Sequence, residues 1–185
     1  VAELGHAVRC AQAAGADILI TTGGASVGER DLVQGVLARE GMDLNFWKIA
    51  MRPGKPLLHG VMEGMQILGL PGNPVSSFVC AHIFLMPLIR ALLGDPQAGA
   101  DRSEAAILGT AMPANDMRED YVRAGLSRNG SGALVAVPAA AQDSSMLHLL
   151  SQSDALIIRP ARAPAASRGD TCQILRLCRQ RRAAG

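Results

Sequence analysis

Three cations fall within eight residues in the segment KIAMRPGKP: Lys48, Arg52 and Lys55. Arginine offers a planar fork of N–H donors and lysine a point charge, so a rigid turn carrying both suits an oxyanion. Rigidity is written in locally, because Pro53 and Pro56 fix φ while Gly54 between them frees it. A solvated basic turn would read the same way on spacing alone. These are the chain's two lysines, and every other basic side chain apart from histidine is arginine.

Two further loops have anion-binding chemistry. TTGGASVGERD (21–31) follows an apolar run, and its paired glycines Gly23 and Gly24 let backbone approach a bound group closely. The helix after it offers unpaired N–H groups to a negative charge. The loop has neither the GK[ST] ending of a phosphate-binding P-loop nor a GxGxxG dinucleotide signature. GLPGNPVSS (69–77) repeats the geometry, turning on Gly72-Asn73 and opening a helix at Pro74 with Ser76 and Ser77 close by. Both loops would serve equally as ordinary strand-to-helix connections. Asp31 stands where a helix N-cap is expected. A weaker group lies downstream: Arg123 inside the strand-like REDYVRA, and Ser144 capping a short helix in AQDSSM.

The elements that must position these loops alternate in the first half. AELGHAVRCAQAAG has helical apolar spacing and closes at Gly15, and DILIT (17–21) is short and apolar, as a buried parallel strand would be. LVQGVLAREG is helical, DLNFWKIAM (43–51) strand-like, and LLHGV and QILGLP flank an EGM turn. A long apolar helix follows from Pro74, with Pro87 expected to kink or break it. The alternation predicts an α/β unit with a mostly parallel sheet. After a linker at GDPQAGAD the pattern changes to short strands with Gly, Pro, Asn and Ser between them, a small β-barrel or sandwich. RQRRAAG reads as a frayed tail.

The 185 residues are 49% apolar but only 3% aromatic, so an aliphatic core is expected. A net charge of +2 gives no case for nucleic acid or a membrane surface. No apolar run is read as approaching the roughly 20 uncharged residues of a bilayer span, and no secretory signal is recognised. Cys10, Cys80, Cys172 and Cys178 show no metal-ligand spacing, so reduced thiols and a cytoplasmic location are expected. The chain opens at Val1 within a helical pattern and is read as a fragment lacking upstream sequence.

Taken in order, the loops resemble the molybdopterin molybdenumtransferase family of MoeA and gephyrin. TTGGASVGERD, FWKIAMRPGKP and LPGNPVSS are similar to its three signature elements, and REDYVRA and QDSSMLHLLSQSDALIIRP to motifs of its C-terminal barrel. Arg52 stands where the family usually has lysine, and Asp143 where it often has glycine, which would repel molybdate unless it points away. The resemblance implies a molybdopterin-binding α/β/α sandwich over 1–95, with its N-terminal part missing, and a β-barrel domain over 101–178. It implies insertion of molybdate into adenylylated molybdopterin with release of AMP, requiring Mg²⁺, in a cytoplasmic homodimer. The molybdopterin adenylyltransferase is an implied partner. Molybdate would be held by Arg52, Lys55, Pro56, Arg123 and Ser144, with Lys48 on substrate anions. Gly23, Gly24, Ser26, Pro71, Gly72, Asn73, Pro74 and Ser76 would cradle pterin phosphate and adenylate. Asp31 would be the essential acid, assigned to Mg²⁺ or water. The chain alone is expected to be inactive. A molybdopterin adenylyltransferase or a CinA-type hydrolase would share the α/β domain but not the barrel, and a scaffold would not need both oxyanion loops.

Overall fold

The computed structural model describes residues 2–23, 30–140 and 147–177, with the side chains of 30–32 and 147–149 outside the description. Gly24, Ser26, Asp143, Ser144, Cys178 and the tail therefore lie outside the described residues, as does the side chain of Asp31. The chain divides into two compact units, residues 1–49 with 53–99, and residues 50–52 with 100–185.

The first unit opens with α1 (Ala2–Ala13), closed by Gly15 as its sequence predicts, and β1 (Ile18–Thr22). Helix α2 (Arg30–Arg39) leads to β2 (Asp43–Trp47). Asp31 thus lies inside α2 rather than at its cap. Strands β4 (Leu58–Met62) and β5 (Met65–Leu70) form a hairpin, with β3 counted below. Its two-residue turn needs positive φ twice, met by Glu63 at 47° and Gly64 at 92°. The sheet order is β1-β5-β4-β2, with β1–β5 parallel and the other two pairings antiparallel. The sheet is mixed rather than mostly parallel, because the short EGM turn can join only antiparallel neighbours. β1 is half-buried, with Ile20 42% exposed, because it lies at a sheet edge. Val8, Leu37, Met42, Leu58, Met62, Met65 and Ile67 pack α1 and α2 onto the sheet.

From Pro74 the chain runs through α3 (Pro74–Cys80), a π-helical turn (Ala81–Leu85) and α4 (Met86–Leu92). Pro87 does not break this run. It has no N–H to give, and the wider turn before it absorbs the mismatch, with the Met86 N–H bonded five residues back to Ala81. The resulting 19-residue helix, mean hydropathy 1.8, is long and apolar enough to cross a bilayer by length and composition. That corrects the expectation that no apolar run approaches a bilayer span. One such helix is weak evidence for a membrane span.

The second unit is a closed β-barrel. Strands β6 (Glu104–Leu108), β7 (Glu119–Arg128), β8 (Leu134–Pro138), β9 (Ala155–Arg159) and β10 (Thr171–Arg176) pair in the order β7-β8-β6-β10-β9, and β7–β9 pairing closes the ring. A short helix, α5 (Leu147–Gln152), precedes β9. Small and aliphatic residues fill the interior, among them Leu108, Ala124, Ala136, Ala155, Ile157 and Ile174, all 1% exposed or less. A sixth strand joins from far upstream: β3 (Met51–Arg52) pairs in parallel with β7, Arg52 opposite Asp120. DLNFWKIAM is therefore not one strand. Lys48, at φ 65°, turns the chain out of β2, and residues 50–52 belong to the barrel unit. Cys10, Cys80 and Cys172 are free thiols.

Candidate functional site

The parallel register places Thr22 opposite Leu70, so the GG and LPGNP turns leave adjacent strand ends on the same side of the sheet. In open α/β sheets the carboxyl ends of parallel strands are where ligands bind. Here the two turns meet. A Cβ placed on Gly72 would lie 3.1 Å from the Cα of Gly23, backbone against backbone. Glycine is required there by proximity, not by an unusual φ.

Past the meeting point, Asn73 caps α3 with Pro74 at its first turn, and the Asn73 Oδ1 accepts from the Ser76 N–H at 3.1 Å. The Ser76 hydroxyl is 3.4 Å from the same oxygen and Ser76 is buried, so both side chains are engaged in the cap. At the far end of α3, the Cys80 thiol lies 3.9 Å from the Gly54 carbonyl, which places Gly54 against that helix. Burial pushes the Cys80 thiol up to about 12. The neck of the RPGKP loop is closed by Lys48 N–H to Leu57 C=O and Ile49 N–H to Lys55 C=O, both 3.0 Å. Lys48 holds its ammonium 3.9 Å from the centroid of the Trp47 ring. Thus within the first unit, Gly23, Pro71–Ser76, Gly54–Pro56 and Lys48 are tied through the β1–β5 pair and α3. Five residues of α3 separate Pro74 of the LPGNP turn from Cys80, roughly 9 Å along the axis.

The remaining candidates belong to the barrel unit. Cross-strand pairing of Arg52 with Asp120 brings their side chains onto one face. Arg52 Nη2 donates to Asp120 Oδ2, and its Nη1 lies 3.5 Å from Asp116 Oδ2. The hydrogen bond to Asp120, aided by the charges of Asp120 and Asp116, raises the Arg52 pKa against the opposing effect of burial. Asp116 is held below the usual carboxylate range, chiefly because its carboxylate accepts the Arg118 N–H. Asp120 is 7% exposed, and its Oδ1 lacks a hydrogen-bond partner. Strand alternation sends Asp120, Val122 and Ala124 inward and Arg123 to the other face of β7, where it is 2% exposed. Arg52 and Arg123 therefore do not share a face of that strand. Sequence reading took in Arg118 and Asp120 only as part of REDYVRA, with no role of their own, and passed over Asp116. The alternation of charge in DMRED was visible, but its parallel pairing with a segment some seventy residues upstream was not.

The α/β unit matches the probable molybdopterin binding domain over residues 1–91, and the barrel matches the MoeA C-terminal region, domain IV, over 105–177. The chain belongs to the MoeA-type molybdopterin molybdenumtransferase family. A molybdopterin molybdenumtransferase of Haemophilus influenzae is 35% identical across 86% of this chain and 39% of its own length. That of Bacillus subtilis is 34% identical across 86% of this chain and 36% of its own. The molybdenum cofactor synthesis protein cinnamon of Drosophila melanogaster is 34% identical over 83% of this chain and 26% of its own length. The chain thus spans less than two-fifths of these relatives. A crystal structure of the molybdopterin biosynthesis MoeA protein of Pyrococcus horikoshii superposes with a TM-score of 0.72 at 24% identity, covering 94% of this chain and 40% of that one, which shows the shared fold. Among the described residues, no group of three His, Cys, Asp or Glu could hold a metal ion.

Proposed function

We propose that this chain is the part of a molybdopterin molybdenumtransferase that holds the phosphate of adenylylated molybdopterin and the incoming molybdate during molybdenum cofactor synthesis. The observation that carries the reading is the backbone contact between Gly72 and Gly23. It supports a single cradle of main-chain groups for phosphate and adenylate, built by Gly23, Gly24, Ser26, Pro71, Gly72, Asn73, Pro74 and Ser76. The cap formed by Asn73 and Ser76 would fix the shape of that cradle rather than contact the ligand through both side chains.

Molybdate, as substrate, is assigned to Arg52 of the barrel unit, with Arg123 on the other face of β7 and Ser144 as the alternative ligands there, while Lys55 is assigned to substrate anions within the first unit. The N–H donors and positive charge of a guanidinium suit a tetrahedral dianion. Lys48, carried on Trp47, would neutralise substrate charge.

Asp31 is assigned, on the family likeness, as the essential acid for Mg²⁺ or water. Mg²⁺ is commonly held by one or two carboxylates together with substrate phosphates and water, so a lone acid is compatible with it. Homodimerisation, the cytoplasmic setting and delivery of substrate by the molybdopterin adenylyltransferase belong to the same proposal, and sedimentation of the full-length protein checks the first.

The experiment is AMP release from adenylylated molybdopterin and molybdate by the full-length protein that contains this chain. Asp31→Asn and Lys55→Ala are each expected to lower it by about two orders of magnitude. Release at the wild-type rate in both would overturn the assignment.

A further inference from the structure

The barrel unit holds one carboxylate between two guanidinium groups. Asp116 Oδ2 lies 3.5 Å from Arg52 Nη1 and 3.5 Å from Arg118 Nη2. Those distances are at the outer limit of hydrogen bonding, so neither guanidinium holds this oxygen tightly. Asp116 is half-exposed, as is Arg52, and Arg118 is about a third exposed, so solvent ligands reach the gap. Asp120, by contrast, is buried and grips the other arm of Arg52. Arg52 is anchored on one side and loosely occupied on the other.

We infer that the gap between Arg52 and Arg118 is a tetrahedral-oxyanion slot, and that Asp116 Oδ2 is a placeholder which the anion displaces. The inference rests on Arg52 taking an oxyanion and adds Arg118 as a second ligand and Asp116 as an internal competitor. Two oxygens of one anion can each face one guanidinium, where a single carboxylate oxygen must serve both distantly. Arg52, Arg118, Asp116 and Asp120 balance in charge, so the slot becomes attractive to a dianion only as Asp116 moves away.

Asp116 has one other task. Its Oδ1 accepts the Arg118 N–H at 2.9 Å, closing a local turn. Asparagine keeps that acceptor, so Asp116→Asn removes the competing charge while leaving the turn. Asp116→Ser, whose hydroxyl can also accept, is the second variant should the first fold poorly.

The test is titration of the chain with sodium molybdate at low ionic strength. Arg52→Gln should abolish binding, Arg118→Gln should weaken it, and Asp116→Asn or Asp116→Ser should tighten it by about threefold, an effect that fades with added salt. A purely structural Asp116 would not give tighter binding when replaced. If Arg52→Gln loses molybdate while both Asp116 variants bind no better than wild type, or Arg118→Gln binds equally well, the placeholder slot is wrong. Wild-type affinity in Arg52→Gln would instead overturn the oxyanion reading beneath it.

Discussion

The Lys48 ammonium rests 3.9 Å from the Trp47 ring centroid, while the Lys48 backbone adopts φ 65°, a conformation that side-chain-bearing residues seldom take. Strain of this kind is retained where surrounding structure enforces it. Here the enforcing bond is Lys48 N–H to Leu57 C=O, which closes the RPGKP loop. The indole face gives the ammonium a fixed place. Trp47→Leu is expected to leave the chain folded and to weaken AMP binding by about threefold at low salt, since such contacts contribute about 0.5–1 kcal/mol at exposed sites. Unchanged affinity by titration would show that Lys48 acts without its neighbour.

Asn73 determines how α3 starts, because its side chain takes the Ser76 N–H. Asn73→Ala should lower stability by about 0.5–2 kcal/mol and weaken AMP binding, whereas Asn73→Ser should retain most of both. Denaturant unfolding and titration check this together. Full stability in the alanine variant would mean that the prolines alone fix the turn.

Acid should loosen the protein late. Asp95, Asp101 and Asp116 each have a lowered pKa, and in each the first cause is a backbone N–H, from Gln97, Ser103 and Arg118 respectively. A carboxyl whose folded pKa is depressed stabilises fully above its unfolded value, about 3.9, and that contribution is lost as pH falls through the lower folded values. The unfolding midpoint should therefore hold level down to about pH 5 and fall below about pH 4. Circular dichroism across this range checks it, and a constant midpoint down to about pH 2.5 would contradict it.

Much of this was legible in the chain. Gly15, the Glu63-Gly64 turn and Pro74 each carry a local backbone preference strong enough to mark an element boundary, and the loops RPGKP, TTGG and LPGNP announced their chemistry by residue type. What the sequence concealed is long-range. Nothing local says that Arg52 pairs with Asp120, because strand partners at that separation are set by the closed barrel. The break at Lys48 was hidden because a lysine in left-handed backbone has no sequence signature. Pro87 misled in the other direction, since a π-helical turn can absorb a proline that an α-helix cannot.

The central claim is that two turns at neighbouring strand ends form one ligand cradle because Gly72 and Gly23 touch. Gly72→Ala tests it most directly. The added Cβ would sit 3.1 Å from the Gly23 Cα and must part the turns by a few tenths of an ångström. Overpacking of this kind costs about 1–3 kcal/mol of stability, and because it displaces the main-chain groups of the cradle, AMP titration of the folded variant should show affinity lower by about tenfold. A variant that folds and binds AMP as tightly as wild type would contradict the cradle.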